Sequence, residues 1–513
     1  MSTSNSATLA ALPPIIQGGM GIGVSDWRLA RAVSLLGHLG VVSGTAIDTL
    51  FVRRLQDGDP GGHMRRGLAD FPWKETARSI LERYFRPEGR APGEPYRLLP
   101  MWRQQVSPER ERLAVAAAFV EVRLAKEGHD GVVGMNLLTK VQIPNPATLY
   151  GAILAGVDVV LMGAGIPKEI PGLLDDLAAH RATSLRLDVE GARSTEDVRV
   201  HFDPAAHWNA EGISGEGAGI AAEADPRLPE VTRPLFFPII ASSSLARVLL
   251  RKSNGRVDGF VVEGPTAGGH NAPPRGKLET TPQGEPVYGE RDVVDLSEMA
   301  DLGVPFWLAG GEGSPEGLRR ALASGARGIQ VGTLFSLADE SGLTEELKRR
   351  VLTEVREGAL EIRTDLKASP TGFPFKVVQL EGTGSSQATY DARVRICDLG
   401  YLRTPFRDED GRIHYRCPAE PAEAWARKGG QPEALDGRRC LCNALMADVG
   451  AAQVRVNGTR VEEPGLLTSG DDLLRLSHFL RDRERYDAAD VIQYLTSEDS
   501  HGPDGGISTG GIG

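Results

Sequence analysis

The chain has 513 residues and a formal net charge of −11, from 58 Lys and Arg against 69 Asp and Glu. That length exceeds what one hydrophobic core usually supports, so we expect one large domain and a smaller second unit. The acidic balance disfavours a nucleic-acid partner. Since the sequence has neither a long apolar run nor a signal-peptide pattern, we expect a soluble, cytoplasmic protein without membrane contact.

Eight short apolar runs, most of them ending in small or polar residues, predict eight β-strands. In chain order they are Pro14–Gln17, Leu39–Ser43, Gly131–Asn136, Val157–Met162, Phe236–Ala241, Val257–Glu263, Pro305–Ala309 and Gly328–Val331. Helical stretches follow many of these runs, as in repeated βα units with a parallel sheet. The predicted fold class is therefore α/β, a (β/α)₈ TIM barrel whose active site lies at the carboxyl ends of the strands.

Other segments depart from the barrel rhythm. The barrel is predicted to span residues 10–342, with insertions at about 48–127 and 188–234, and LRLDV and VRVHF near the second insertion indicate a hairpin. From 343 to 500 a charged helix, a segment with all four cysteines and short strands predict a smaller α+β extension. The tail 501–513 has no apolar pattern and is predicted to be flexible.

The first predicted strand ends in the glycine-rich run Gln17-Gly18-Gly19-Met20. Glycines remove side chains where a flat or bulky group must lie against backbone, although a flexible βα turn explains the same residues. Asn136 ends the third strand and brings an amide to the same face of the barrel.

The seventh and eighth strands end in loops typical of phosphate binding. Ala309-Gly310-Gly311 leads to Ser314, suited to an N-cap, and Pro315, suited to the first helical position. Free amides and the positive end of a helix dipole would then converge on one point. The eighth strand ends in Gln330-Val331-Gly332-Thr333, and these two loops are the common phosphate site of TIM barrels, with plain packing as the alternative.

The sixth strand leads to a histidine on a glycine-rich loop, Gly268-Gly269-His270. An imidazole at the catalytic face can act as a base, an acid or a hydrogen-bond donor near neutral pH. A lone histidine is more often structural or simply exposed. Its place between the first-strand glycines and the two phosphate-type loops favours a catalytic role.

Taken in order, PIIQGGMG, GMNLL, VVLMGAG, VEGPTAGGHN, LAGGEGS and IQVGT resemble the nitronate monooxygenase family, formerly the 2-nitropropane dioxygenases. The resemblance spans roughly 13–335 and implies an FMN-binding barrel without a metal. It implies that Gly310, Gly311, Gly332 and Thr333 hold the phosphate, that Gln17, Gly18, Met20 and Asn136 approach the isoalloxazine, and that His270 lies beside the substrate. Gly19, Gly268, Gly269, Ala309 and Gln330 complete the expected cofactor site.

The Gly-Gly-His loop also resembles the trans-acting enoyl reductases of polyunsaturated-fatty-acid and polyketide synthesis. The chain departs from simple monooxygenases in its length, its insertions, Glu312 and its cysteine-bearing extension. Three functions stay open. The first is oxidation of alkyl nitronates by O₂ to a carbonyl compound and nitrite. The second is NADPH- and FMN-dependent reduction of an enoyl thioester, with an acyl carrier as partner. The third is a non-catalytic barrel that binds a phosphorylated ligand as a scaffold.

A small-molecule substrate is expected for the two enzymes, and a homodimer is left open. The sequence has no convincing Rossmann fingerprint, so NADPH would have to bind at the barrel mouth.

The cysteines of the extension, Cys397, Cys417, Cys440 and Cys442, allow three interpretations. Reduced, buried thiols behave as small apolar residues. Four thiolates could instead hold structural zinc or ligate an iron–sulfur cluster, and His414 could replace one sulfur of a zinc site. Their spacing matches no strong zinc signature, so no metal is expected.

Overall fold

The protein is described by a computed structural model that covers residues 12–193, 195–212, 228–457 and 459–498. Eight parallel strands of these residues form one sheet: β1 (Ile15–Gln17), β2 (Gly40–Ser43), β3 (Val133–Leu138), β4 (Val159–Gly163), β7 (Leu235–Ile240), β8 (Phe260–Glu263), β9 (Phe306–Ala309) and β10 (Gly328–Val331). Each lies on one of the eight predicted apolar runs, so the strand prediction is confirmed.

The sheet closes on itself. Its strand order is β1-β10-β9-β8-β7-β4-β3-β2, and the two end strands meet at a parallel bridge between Ile16 and Leu39. There the N–H of Gln17 donates to the carbonyl of Leu39 at 2.9 Å, and the N–H of Leu39 donates to the carbonyl of Ile15 at 3.2 Å. The TIM-barrel fold class is therefore confirmed, and the carboxyl ends of all eight strands share one rim.

Helices surround the barrel and continue beyond it. They are α1 (Trp27–Leu35), α2 (Ile47–Gln56), α3 (His63–Asp70), α4 (Lys74–Tyr84), α5 (Pro108–Ala125), α6 (Asn145–Leu154), α7 (Ile170–Ala178), α8 (Pro204–Ala210), α9 (Ser243–Lys252), α10 (Leu296–Ala300), α11 (Pro315–Ala323), α12 (Thr333–Ser336), α13 (Glu345–Glu357), α14 (Gln387–Ala392), α15 (Ala422–Arg427), α16 (Leu441–Ala447), α17 (Leu476–Leu480) and α18 (Ala488–Leu495). Short 3₁₀ helices lie at Pro60–Gly62, Glu290–Asp292, Pro432–Leu435 and Asp471–Arg475. Among the described residues, no helix is both long and apolar enough to cross a membrane.

Strand alternation sorts the barrel side chains into two layers. One set, including Ile16, Leu161, Phe237 and Trp307, fills the interior, where the rings of Phe237 and Trp307 stack with centroids 5.1 Å apart. The alternate set, which includes Ile15, packs against the surrounding helices. The interior is thus a packed core, and the open space lies above it, at the rim.

The segment predicted as the first insertion, 48–127, holds helices α2 to α5. The last of them, α5, packs against α1 and α6 in the outer layer of the barrel. Near the second segment, β5 (Thr183–Arg186) pairs antiparallel with β6 (Arg199–Phe202), which confirms the hairpin. Within the predicted 188–234 insertion, residue 194 and residues 213–227 lie outside the described residues.

Beyond the barrel, the chain forms three antiparallel strand pairs with intervening helices. The pairs are β11 (Glu361–Asp365) with β12 (Phe375–Gln379), β13 (Thr404–Arg407) with β14 (Ile413–Arg416), and β15 (Val454–Asn457) with β16 (Thr459–Glu462). The tail predicted to be flexible, 501–513, lies outside the described residues.

The extension lies on the barrel rim. The N–H of Lys376 donates to the carbonyl of Gly269 at 3.0 Å, and the N–H of Gly269 donates to Thr468 Oγ1 at 2.8 Å. The N–H of Asp471 donates to the carbonyl of Thr266 at 2.9 Å. Two segments of the extension are therefore fixed by hydrogen bonds to the loop after β8.

Candidate active site

A cavity opens at the carboxyl ends of the barrel strands and gathers almost all of the predicted site residues. Its walls include Gly18, Gly19, Met20, Asn136, Gly268, Gly269, His270, Ala309, Gly310, Gly311, Gln330, Gly332 and Thr333. These residues come from the ends of β1, β3, β8, β9 and β10, so the closure of the barrel brings them together.

Gln17 is the predicted site residue that the structure does not bring to the cavity. It is fully buried, and its side-chain amide donates to Ser25 Oγ at 2.9 Å. Its Oε1 accepts the N–H of Val41 at 3.0 Å. Gln17 therefore fastens the first loop to β2 and does not face a cofactor in the cavity.

The absence of a side chain at Gly19 has a steric reason. A Cβ on Gly19 would lie 2.3 Å from the Cβ of Asn136, closer than real atoms approach. The absence of a side chain lets Asn136 reach across the cavity wall, where its Nδ2 lies 3.4 Å from the carbonyl oxygen of Gly19. The first loop and the end of β3 thus form one continuous wall.

The loop after β9 has the backbone expected of a phosphate loop. Gly310 and Gly311 have φ of +87° and +74°, in the left-handed region that favours glycine. Ser314 caps α11 by accepting the N–H of Gly317 at 3.0 Å, and Pro315 opens that helix, as predicted. The positive end of α11 therefore starts next to this loop.

The extension contributes polar groups beside both phosphate-type loops. The N–H of Gly313 donates to Asp472 Oδ2 at 3.1 Å, and the N–H of Gly470 donates to Thr333 Oγ1 at 3.1 Å. Burial raises the pKa of Asp472, which favours its neutral form.

His270 contacts Ser369, which precedes β12, and Phe375, the first residue of β12. Its Nε2 lies 2.7 Å from Ser369 Oγ, and its ring meets that of Phe375 edge-on with centroids 4.8 Å apart. The N–H of Asn271 donates to the carbonyl of Pro374 at 2.9 Å, which fixes the adjacent backbone. Burial lowers the pKa of His270 to about 4, so the imidazole is neutral at pH 7.

Glu263, the last residue of β8, also lines the cavity and was not among the predicted site residues. Burial raises its pKa to about 8, so the side chain is mostly a neutral acid at pH 7. Its position at the carboxyl end of a barrel strand was a sequence signal that could have identified it.

Several residues of the extension also line the cavity and were missed. They are Phe375, Leu445, Thr468, Ser469, Gly470 and Asp472. They lie more than 35 residues beyond β10 in the sequence. No periodicity or motif in the extension indicates that these particular residues return to the barrel rim.

Two unsatisfied polar atoms show what kind of ligand the cavity suits. Asn136 Oδ1 and Gln330 Oε1 are buried without a hydrogen-bond partner in the described part of the chain, and both residues line the cavity. Buried acceptors are normally paired, so a ligand that brings N–H donors would satisfy them. The ring of FMN carries such an N–H, and its phosphate suits the loop at Gly310 and Gly311. The residues present therefore fit FMN.

Fold and cavity define a TIM-barrel protein with a phosphate-type loop pair and a catalytic-face histidine. The family model for nitronate monooxygenase matches residues 230–387 of this chain. The match runs from the start of β7 through β12, so it includes His270, both phosphate-type loops and the first strand pair of the extension.

The curated relatives align with this chain over only part of their length. A (3aS,4S,5R,7aS)-5-hydroxy-7a-methyl-1-oxo-octahydro-1H-indene-4-carboxyl-CoA dehydrogenase of Mycobacterium tuberculosis is 29% identical over 242 residues, 45% of this chain and 60% of the relative. A probable nitronate monooxygenase of Staphylococcus saprophyticus is 33% identical over 112 residues, 21% of this chain and 30% of the relative. The chain therefore spans less than two thirds of the length of these relatives.

Two solved structures are similar over nearly the whole chain. FabK from Thermotoga maritima is 16% identical with a TM-score of 0.43, covering 96% of this chain and 95% of its own. The enoyl reductase domain of MlnA from Bacillus amyloliquefaciens is 12% identical with a TM-score of 0.44, covering 96% of each. Likenesses at this level say nothing of the reaction.

Proposed function

We propose that this chain is an FMN-dependent oxidoreductase that oxidises alkyl nitronates with O₂ to a carbonyl compound and nitrite. The observation that carries the proposal is the single cavity that joins two glycine loops, two unpaired amide oxygens and a neutral imidazole. The match of residues 230–387 to the family model for nitronate monooxygenase supports the same reaction class.

Each group of residues has a distinct task in this proposal. The loops after β9 and β10 bind the phosphate through backbone N–H groups. Asn136 Oδ1 or Gln330 Oε1 would accept the N–H of the flavin ring and so help to orient the ring. FMN, when bound, supplies the electron-accepting ring that oxidises the nitronate and reacts with oxygen.

A neutral His270 could act on the substrate in either of two ways. If Nε2 accepts a hydrogen bond from the Ser369 hydroxyl, the single proton of the neutral imidazole lies on Nδ1. Nδ1 then donates a hydrogen bond to an oxygen of the nitro group. If Nε2 donates to Ser369, Nδ1 is a free base that removes the α-proton of a neutral nitroalkane. In both cases Ser369 fixes the tautomer and the ring orientation.

A second candidate is reduction of an enoyl thioester with NADPH and FMN, together with an acyl-carrier partner. It is favoured by the mycobacterial relative, which has the longest aligned segment of the two relatives described above and is named for a CoA ester. In that reaction His270 would orient the thioester carbonyl or supply a proton.

The purified protein's visible spectrum tests the flavin, and two assays separate the candidates. We expect flavin absorbance, released by heat as FMN, together with oxygen consumption on an alkyl nitronate. NADPH oxidation with an enoyl thioester and no activity on nitronates would replace the first candidate by the second. Protein that stays colourless after incubation with FMN would leave only a non-catalytic, scaffold-like barrel.

Replacement of His270 by alanine tests its catalytic role. We expect FMN to remain bound, because other loops hold it, and kcat to fall about 100-fold or more. Stoichiometric FMN in the variant serves as the control for folding. Turnover equal to that of the wild-type protein would remove His270 from the mechanism.

A further inference from the structure

The extension contains a cavity of its own, the arginine cavity, with four arginines in its wall. Its volume is about 190 Å³, far more than the roughly 10–15 Å³ that one water molecule needs. The wall is built by the end of α14 and the residues after it, the residues before and within α16, and the segment after β16. Its charged residues are Arg393, Arg395, Arg438, Arg439, Asp391 and Glu463.

The wall of the arginine cavity carries more positive than negative charge. Four guanidiniums stand against two carboxylates, an excess of two positive charges. Burial raises the pKa of Cys440, so this thiol of the wall stays neutral and does not reduce the excess. Glu463 is also shared, because its two oxygens pair with Arg393 and with Arg455, which is not part of the wall. Since buried charges are normally paired, an anionic ligand would offset the excess.

Two of the four arginines donate to backbone carbonyls. Arg395 Nε donates to the carbonyl of Glu420 at 3.1 Å, and its Nη1 donates to that of Leu435 at 3.2 Å. Arg438 Nε donates to the carbonyl of Ala434 at 3.3 Å. These bonds hold both guanidiniums in place without neutralising their charge. Burial lowers the pKa of Arg438, so the surrounding carboxylates do not offset the cost of burying this cation.

The other two arginines each have an unpaired guanidinium nitrogen. Arg393 Nη2 and Arg439 Nη1 are buried and lack a hydrogen-bond partner in the described part of the chain. The guanidinium of Arg439 stacks over the ring of Tyr390, 3.6 Å from its centroid, and burial lowers the pKa of this arginine too. Buried donors are normally paired, so a ligand with several oxygen acceptors would supply what these two side chains lack.

We propose that the arginine cavity binds a phosphate monoester. A phosphate group carries about −1.5 to −2 charges at pH 7 and three oxygen acceptors, which matches the excess charge and the unpaired donors better than a carboxylate does. Arginine binds phosphate through two parallel hydrogen bonds. Ala444, Pro464 and Leu466 form an apolar part of the wall, against which the organic part of the ester packs.

The arginine cavity is separate from the cavity proposed for FMN. Ala444 and Leu466 line the arginine cavity, whereas Leu445 and Thr468 line the barrel cavity. Among the described residues, the two walls have no member in common. A phosphate monoester therefore binds here while FMN occupies the barrel cavity.

Calorimetric titration of the full-length protein tests the proposal, with phenyl phosphate as the probe. The protein carries one FMN per chain, and free FMN is removed because it is itself a phosphate monoester. We expect one phenyl phosphate to bind per chain, more tightly than inorganic phosphate, because the apolar part of the wall contacts the phenyl group. No saturable binding of phenyl phosphate, or equally tight binding of benzoate, would overturn the proposal.

Variants locate the bound probe. Arg439→Ala should weaken phenyl phosphate binding about tenfold or more, because a charged donor is lost. Arg439→Lys keeps the charge but not the planar fork, so it should also weaken binding, and it replaces the alanine variant if that variant does not fold. Arg412→Ala is the control, since Arg412 is an arginine of the extension that is 76% exposed and outside the wall.

Wild-type affinity in the Arg439 variants, or an equal loss in Arg412→Ala, would overturn the site. FMN content is measured separately from absorbance in every sample. Binding to colourless protein that Arg439→Ala weakens would support the arginine cavity even if the proposed function failed.

Discussion

His270 and Glu263 line the same cavity, and burial keeps both of them neutral at pH 7. For His270 the pKa falls to about 4, so its titration lies below the pH range in which enzymes of this kind are assayed. For Glu263 the pKa rises to about 8, so its ionisation lies inside that range. An ionised Glu263 would repel an anionic nitronate, so we expect this residue to limit activity on nitronates at alkaline pH.

We therefore expect kcat/KM for an alkyl nitronate to fall as the pH rises through about 8, the pKa of Glu263. In Glu263→Gln the amide stays neutral, so this alkaline decrease should disappear. Rates measured from pH 6 to pH 10 for both proteins, with bound FMN as the control, test this expectation. An unchanged alkaline limb in the variant would show that another group titrates there.

The raised pKa of Glu263 also makes the free energy of unfolding depend on pH. Its pKa rises from 4.5 to about 8 on folding, so the native state binds more protons than the unfolded state between these values. The contribution of Glu263 to the free energy of unfolding is therefore largest below pH 4.5 and decreases up to about pH 8. Relative to the wild-type protein, Glu263→Gln should gain stability over this range.

At the scale of single elements, the sequence predicts the barrel strands and the side of each strand on which a residue lies. Each of the eight strands was predictable from its short apolar run, and each run ends within two residues of the end of its strand. The direction of Gln17 follows from alternation: Ile16 faces the barrel interior, so Ile15 and Gln17 point out of it. That pattern was present in the sequence, and applying it would have removed Gln17 from the cofactor site.

The part of the site supplied by the extension was not predictable in the same way. Ser369 hydrogen-bonds to His270, and the ring of Phe375 packs against it, although both residues lie about 100 positions beyond His270 in the sequence. Their local sequence has no alternation or helical period that specifies a partner. Only the packing of the extension on the barrel rim reveals them.

The loop after β9 offers an element-scale test with a matched control. Alanine at Gly310 would have φ near +87° and a Cβ 3.0 Å from the carbonyl oxygen of Gly264, so the loop must shift. We expect FMN affinity to fall about tenfold or more. Gly325 has φ of +85°, but a Cβ there meets only Ala300 at 3.6 Å. Gly325→Ala pays a comparable backbone strain and should keep FMN, as measured by flavin fluorescence titration.

At the scale of the whole molecule, a buried ion pair within the helical segment after β2 also binds a residue of the extension. Asp48 and Arg110 form an ion pair with side chains only 3% and 6% exposed. The hydroxyl of Tyr401, from the extension, donates to Asp48, and Trp102 Nε1 donates to the same carboxylate at 3.2 Å. Three distant parts of the chain therefore depend on one buried charge being neutralised.

Arg110→Ala leaves the carboxylate of Asp48 buried without its cation. We expect the free energy of unfolding in urea to fall by about 3–5 kcal/mol, because an uncompensated buried charge is costly. Arg123→Ala is the matched control on the same helix. Its pair with Asp70 at 2.8 Å is 40% and 50% exposed, and its loss should change stability by about 0–1 kcal/mol. Equal losses in the two variants would mean that the buried pair does not hold the extension to the barrel. A large loss confined to Arg110→Ala, with FMN content falling at the same urea concentration as the extension unfolds, would tie the cavity to this contact.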